Sequence, residues 1–100
     1  MIEIKINKKE SDIESIVVSG HANYDEYGSD IVCASVSSIC ITTVNAILSI
    51  DEGAIEYEEK SGFLKIEIKK YNDITNKLIK NMINLLKELE GQYKENIKIR

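Results

Sequence analysis

The sequence predicts an α+β fold in which two helices pack on one face of a largely antiparallel sheet, in the order ββαββαβ. Several short stretches alternate apolar and polar residues, as half-buried strands do. Two longer stretches repeat apolar residues every three or four positions, as helices do. The predicted strands come in adjacent pairs joined by short polar segments, whereas a doubly wound parallel sheet needs regular alternation of strands and helices.

The first half of the chain predicts a hairpin, a loop and a helix. Residues 1–7 alternate isoleucine with polar residues and residues 13–19 are rich in β-branched side chains, so the polar residues between them predict an antiparallel turn. Residues 20–30 have the composition of a loop. Asp30 is a typical N-cap residue, so we expect the helix to begin after it and to end near Ile50.

That first helix has one broad predicted apolar face, and the predicted core positions on it are Val32, Val36, Ile39, Cys40, Thr43, Val44, Ile47 and Leu48. The second half of the chain predicts a hairpin of residues 54–58 and 63–69, a helix from Asn72 or Asp73 capped by Gly91, and a last strand over 93–100. The predicted inward residues of this hairpin are Ile55, Tyr57, Leu64, Ile66 and Ile68. The predicted apolar stripe of the second helix is Ile74, Leu78, Met82, Leu85, Leu86 and Leu89.

Length and charge limit the classes of function. The 100 residues are expected to form a single domain, 1–100. A net charge of −4 argues against a direct nucleic-acid partner, and the absence of an evident long apolar run argues against a membrane partner. The N-terminus alternates apolar and polar residues instead of forming a secretory signal, so the expected location is cytoplasmic.

The most informative segment is 20–38, which contains the only histidine, His21, and one of the two cysteines, Cys33. A thiol nucleophile needs a base, and a thiol in the first turn of a helix has its pKa lowered by the helix dipole. His21 is therefore a candidate base and Cys33 a candidate nucleophile, whose backbone N–H would bind the oxyanion. The alternatives are a core cysteine and a surface histidine with no chemical role.

Three further residues are predicted to support such a site. Asp30 has two candidate roles, as the helix cap or as the group that orients His21. Ser37 follows Cys33 by one helical turn, where it lines the site or bonds to its own helix. Gly20, together with Gly28, would let the intervening loop open and close. The candidate substrate contacts in that loop are Asn23, Tyr24, Asp25, Glu26, Tyr27 and Gly28, with a solvated acidic loop as the alternative.

The second cysteine, Cys40, lies among apolar residues and is predicted to belong to the core. Cys33 and Cys40 would be about 10 Å apart along one helix, too far for a disulfide. One histidine and two cysteines without close spacing predict no metal site, and nothing in the chain predicts a cofactor.

The motif Gly20-His21-Ala22, followed by Gly28 and then Asp30-Ile31-Val32-Cys33-Ala34 with Val36-Ser37, closely resembles the ribosomal-processing cysteine protease family. Chain length and element order agree with that family over essentially all 100 residues. The resemblance implies a bacterial cytoplasmic endopeptidase, commonly a homodimer, that removes the N-terminal extension of large-subunit ribosomal protein number twenty-seven. His21 and Cys33 match the family's dyad, and Gly20, Asp30 and Ser37 match its other motif positions.

The resemblance also implies an apolar groove beside the helix, because the family's substrates are cut after an aromatic segment of the extension. Two alternatives of other classes stay open from the residues themselves. One is a non-catalytic, ribosome-associated module that binds a basic ribosomal protein through the acidic loop. The other is a structural domain with an inert core cysteine.

Overall fold

The computed structural model describes residues 1–20 and 27–100. In chain order the elements are β1 (Ile2–Lys9), β2 (Asp12–Ser19), α1 (Tyr27–Ile50), β3 (Ile55–Lys60), β4 (Phe63–Ile68), α2 (Asp73–Gln92) and β5 (Ile97–Ile99). The five strands form one sheet in the spatial order β3–β4–β2–β1–β5. Every neighbouring pair is antiparallel except β1 with β5, which is parallel. The α+β class and the order ββαββαβ are therefore confirmed.

One face of the sheet forms the floor of the core. Ile4 pairs with Val18, and Val18 pairs in turn with Leu64, so this row of apolar side chains crosses three strands on the same face. All three side chains are buried. Both helices contribute to the same apolar cluster, whose helical members are Val32, Val36, Cys40, Val44, Ile47, Ile79, Met82, Ile83 and Leu86. Because residues alternate along a strand, the opposite face carries charged side chains such as Glu3 and Lys5.

The predicted apolar face of α1 is confirmed, but the predicted stripe of α2 is rotated. Ile74 and Leu85 are 53% and 40% exposed, whereas Thr75, Ile79 and Ile83 are buried. Helical periodicity offers two overlapping apolar arcs on α2. Contact with α1 on one side and with β5 on the other selects between them. The buried arc of α2 is thus a result of packing.

Several predicted boundaries are wrong. The helix α1 begins at Tyr27, four residues before the predicted start, so Asp30 lies inside the helix and does not cap it. Aspartate is favourable within the first turn of a helix as well as at its cap, so residue type alone does not fix the helix start. Gly91 also lies inside its helix, and the N–H of Tyr93 ends α2 by donating to the carbonyls of residues 89 and 90. The chain turns after Tyr93, which shortens the last strand to Ile97–Ile99.

The segment Ile31–Ile50 of α1 is long and apolar enough to span a membrane, with a mean hydropathy of 2.0 and no charged residue over its 20 residues. The expectation that the chain lacks such a run is therefore wrong. The buried residues of this segment belong to the core cluster that the sheet and both helices share. A helix with that role needs apolar residues along much of its length, so length and composition cannot separate it from a spanning helix.

The end of α1 is tied to the strand layer by a carboxylate. Asp51 accepts hydrogen bonds from the Lys70 ammonium at 3.1 Å and from the backbone N–H of Gly53 at 3.0 Å. These hydrogen bonds lower the pKa of Asp51 from its ordinary value. The bond from Lys70 has the largest effect, and the bond from Gly53 has the next largest. Both bonds favour the ionised carboxylate, so the folded protein binds this proton less tightly than the unfolded chain does.

We predict that Asp51→Asn lowers the free energy of unfolding at neutral pH. A lowered folded-state pKa gives stability that is present above the unfolded pKa and is lost as the pH falls through the folded pKa. The difference between the variant and the wild type should therefore shrink to nothing in acid. Urea unfolding across this pH range measures it, with Glu52→Gln as a control that removes the same charge next to Asp51. An equal effect of both substitutions would contradict the role of the Lys70 and Gly53 bonds.

Candidate functional site

Cys33 lies in the second turn of α1, at the edge of a groove of about 220 Å³. Its side chain is half-buried and packs against the core cluster. Ser37, four residues later, lines the same groove because residues at this spacing share one side of a helix. The structure thus brings these two predicted residues together on an accessible surface.

The other walls of the groove come from strands that are distant in sequence. The ends of β1 and β2 contribute Ile2, Val18 and Gly20, and the β3–β4 hairpin contributes Glu59, Lys60, Gly62, Phe63 and Leu64. The hairpin lies here because β4 pairs with β2, with Phe63 opposite Ser19 and the Gly20 N–H bonded to the Gly62 carbonyl at 3.0 Å. Sequence reasoning missed the hairpin residues, since no local pattern indicates which strands will be neighbours.

The hairpin gives the groove an apolar wall with a charged rim. The ammonium of Lys60 lies 5.7 Å from the centre of the Phe63 ring, within the range of a cation–π contact. Lys60 also pairs with Glu58 at 3.5 Å. Phe63 and Leu64 continue the apolar surface formed by Val18 and the helix. The groove therefore suits a peptide with an apolar or aromatic side chain.

The two cysteines differ in environment although they share a helix. Cys40 is fully buried, and burial raises the pKa of its thiol to about 12. A thiol in that state is inert at neutral pH. Cys33 reaches the groove, and the two residues do not form a disulfide. The predicted core position of Cys40 is confirmed, and the two cysteines lie on one helix as the sequence predicts.

The position of Cys33 on α1 requires a correction. Because the helix begins at Tyr27, Cys33 is the seventh helical residue and lies outside the first turn. In an α-helix the N–H at this position donates to the carbonyl four residues earlier, so it is not among the unpaired N–H groups at the helix start. The predicted position of Cys33 in the first helical turn is therefore wrong.

The other predicted site residues divide into two groups. His21, Asn23, Tyr24, Asp25 and Glu26 lie outside the described residues. Tyr27 and Gly28 belong to α1, so their assignment to the substrate loop is wrong, for the same reason that Asp30 does not cap the helix. Among the described residues, no group of three histidine, cysteine, aspartate or glutamate side chains is placed to hold a metal ion.

Gly20 has a structural role that its motif position alone does not reveal. Its φ angle is +93°, in the region that favours glycine. A Cβ atom at this position would also clash with the backbone carbonyl oxygen of Met1. Gly20 therefore holds the end of β2 close to the start of β1, at the wall of the Cys33 groove.

Relatives of this chain are cysteine proteases. Two curated proteins named ribosomal processing cysteine protease Prp are similar to it: one from Staphylococcus aureus is 32% identical over 98% of this chain and 94% of the relative, and one from Bacillus subtilis is 31% identical over 99% and 96%. The class of protein that these relatives indicate is the cysteine peptidases.

The match extends to solved structures and to one family. A crystal structure of the Staphylococcus aureus ribosomal processing protease Prp with a covalently linked product peptide is 30% identical, with a TM-score of 0.88, covering 100% of this chain and 98% of that one. A second, with a substrate peptide, is 28% identical with a TM-score of 0.85, covering 99% and 95%. Residues 1–98 match the family model described as cysteine protease Prp, and the chain belongs to that family.

We predict that Gly20→Ala destabilises the protein by about 1–3 kcal/mol, because the new side chain strains the backbone and strikes the Met1 carbonyl. The matched control is Gly91→Ala, which lies on an open helical surface with no atom within 4 Å of the added Cβ. This control should raise the stability by about 0.5–1 kcal/mol. Urea unfolding measures both, and changes of the same sign would contradict the role assigned to Gly20.

Proposed function

We propose that this ribosomal processing cysteine protease removes the N-terminal extension of bacterial large-subunit ribosomal protein number twenty-seven, with Cys33 as the nucleophile and His21 as the general base and acid. The observation that carries the proposal is the half-buried Cys33 at an open groove, in a chain whose other cysteine is sealed in the core. Family membership supports an enzyme over a non-catalytic binding module or an inert structural domain.

The chemistry divides peptide hydrolysis into two steps. The His21 imidazole accepts the thiol proton of Cys33, the sulfur attacks the scissile carbonyl carbon, and a tetrahedral intermediate forms. His21 then protonates the leaving amine, the C–N bond breaks, and a thioester remains on Cys33. Water, deprotonated by His21, attacks this thioester and releases the carboxylate product and the thiol. The Staphylococcus aureus relative with a covalently linked product peptide supports a covalent route of this kind.

The groove supplies a binding surface for the peptide next to the sulfur. Val18, Phe63 and Leu64 form an apolar wall, which suits the aromatic segment that the family resemblance implies in the extension. Ser37 lies beside Cys33 and can hydrogen-bond the peptide backbone. The substrate peptide bound in the Staphylococcus aureus relative supports peptide recognition by this fold.

Three further parts of the proposal concern the whole protein. Residues 1–98 match the family model, which supports one protease domain over 1–100. We place the enzyme in the cytoplasm, where ribosomes assemble, and we propose that it is a homodimer, which sedimentation equilibrium would test. Asp30, inside the helix, is proposed as a support for the dyad, and residues 23–26 are proposed as substrate contacts.

We predict that Cys33→Ala and His21→Ala each abolish cleavage of the ribosomal precursor, whereas Cys40→Ala retains it. Removing the nucleophile or the base removes the covalent route, while Cys40 has no access to substrate. The mass of the precursor before and after incubation measures cleavage and locates the new N-terminus. Circular dichroism checks that each variant is folded. Full cleavage by the Cys33→Ala variant would refute the mechanism.

We also predict that iodoacetamide modifies Cys33 but not Cys40 in the folded protein. Cys33 is half-buried at the groove, whereas Cys40 is sealed and its pKa is raised to about 12. Peptide mass mapping after a short exposure assigns the modified residue, and unfolding in urea should expose both thiols. Protection of Cys33 until unfolding would support the inert structural domain, and a rate and pH profile equal to those of an unperturbed thiol would support the binding module.

A further inference from the structure

Two adjoining grooves along α2 are bordered by lysines. The first, of about 290 Å³, lies between the β1–β2 hairpin and α2 and is lined by Lys8, Lys80 and Lys87. The second lies between the end of α2 and β5 and is lined by Lys87, Lys94 and Lys98. Lys87 belongs to both grooves, so the five side chains form one continuous surface, which we call the lysine band.

The lysine band is not neutralised from within the described part of the chain. All five side chains are exposed, and the ion pairs among the described residues use other cations. Two acidic residues, Asp12 and Glu90, also line the grooves. Glu90 accepts the Ile99 N–H at 2.8 Å and keeps its negative charge, so the five lysines exceed the two lining carboxylates by three charges. The lysines therefore create a local positive potential on a chain whose net charge is −4.

The spacing of the lysine band fits an extended polyanion better than a single small anion. Lys80 and Lys87 are two helical turns apart on the same side of α2, about 10 Å along the axis. Lys8 extends the band toward one end of the helix, and Lys94 and Lys98 extend it past the other. Successive negative groups along an extended polymer can each contact one of these ammonium groups.

The side chains between the lysines favour a phosphodiester backbone. Asn76, Asn84 and Ser11 line the first groove and supply hydrogen-bond donors of the kind that contact phosphate and sugar oxygens. Among the described lining residues no aromatic side chain is present, so these grooves offer no stacking platform for bases. Contacts to the backbone without stacking give binding that is salt-dependent and tolerant of sequence.

We propose that the lysine band binds the phosphate backbone of RNA and holds the enzyme next to ribosomal RNA while its groove engages a peptide. The described residues that line the Cys33 groove include none of those that line the lysine band, so both surfaces can be occupied together. The family's work in ribosomal processing brings the enzyme to a setting where RNA is the predominant polyanion. The proposal does not depend on the role of Cys33.

The test is the affinity of the full chain for a short fluorescein-labelled single-stranded RNA, measured by fluorescence anisotropy over a range of salt. We expect Lys80→Ala combined with Lys87→Ala to weaken binding by about tenfold at low salt. The slope of log K against log salt should become shallower by about 1.4, as expected for two lost phosphate contacts on a single strand. Cleavage of the ribosomal precursor without RNA should be unchanged.

The matched control is Lys5→Ala combined with Lys65→Ala, which removes two positive charges from the opposite face of the sheet. Neither lysine forms an ion pair with a described residue, and both flank Val17 across neighbouring strands. RNA affinity should change less than twofold in this control, and thermal unfolding should show that both variants are folded. Equal loss in the two variants, or no RNA binding by the wild type at low salt, overturns the proposal. Binding of polyglutamate or phosphatidylglycerol vesicles by the band, with no RNA binding, overturns it in favour of an acidic protein or a membrane.

Discussion

The arrangement of this molecule depends on the pairing of β2 with β4. Five residue pairs, from Ser15 with Glu67 to Ser19 with Phe63, join two hairpins that are separated in sequence by the whole of α1. This pairing sets the strand order and creates one continuous apolar face for the two helices. It also brings the β3–β4 hairpin against the end of β2. The hairpin therefore forms one wall of the groove beside Cys33.

The helix α1 places its two cysteines in different chemical environments. Cys33 and Cys40 are seven residues apart, so they lie on nearly the same side of the helix and about 10 Å apart along it. Cys40 lies over the sheet, where desolvation keeps its thiol protonated. Cys33 lies nearer the helix start, where the strands end and the groove opens. Position along the axis therefore determines which thiol can meet a substrate.

The net charge of the chain does not describe how its charged side chains are distributed over the surface. A net charge of −4 describes the sum of all side chains and predicts repulsion from nucleic acids. Lys69, directly after β4, pairs with Glu56 of β3 and with Glu67 of β4, so these opposite charges compensate one another. The five side chains of the lysine band form no such ion pairs with described residues. The lysine band is therefore a positively charged surface on a chain whose net charge is negative.

The sequence by itself determined the fold class, the order of the elements, the core face of α1, the burial of Cys40 and the motif from Gly20 to Cys33. These features depend on periodicity and residue type within short segments, which are local properties. Only the tertiary structure decided the buried arc of α2, the hairpin wall of the groove and the lysine band. These depend on contacts between residues far apart in the chain, and no local pattern records which strands will pair or which helix face a neighbour will cover.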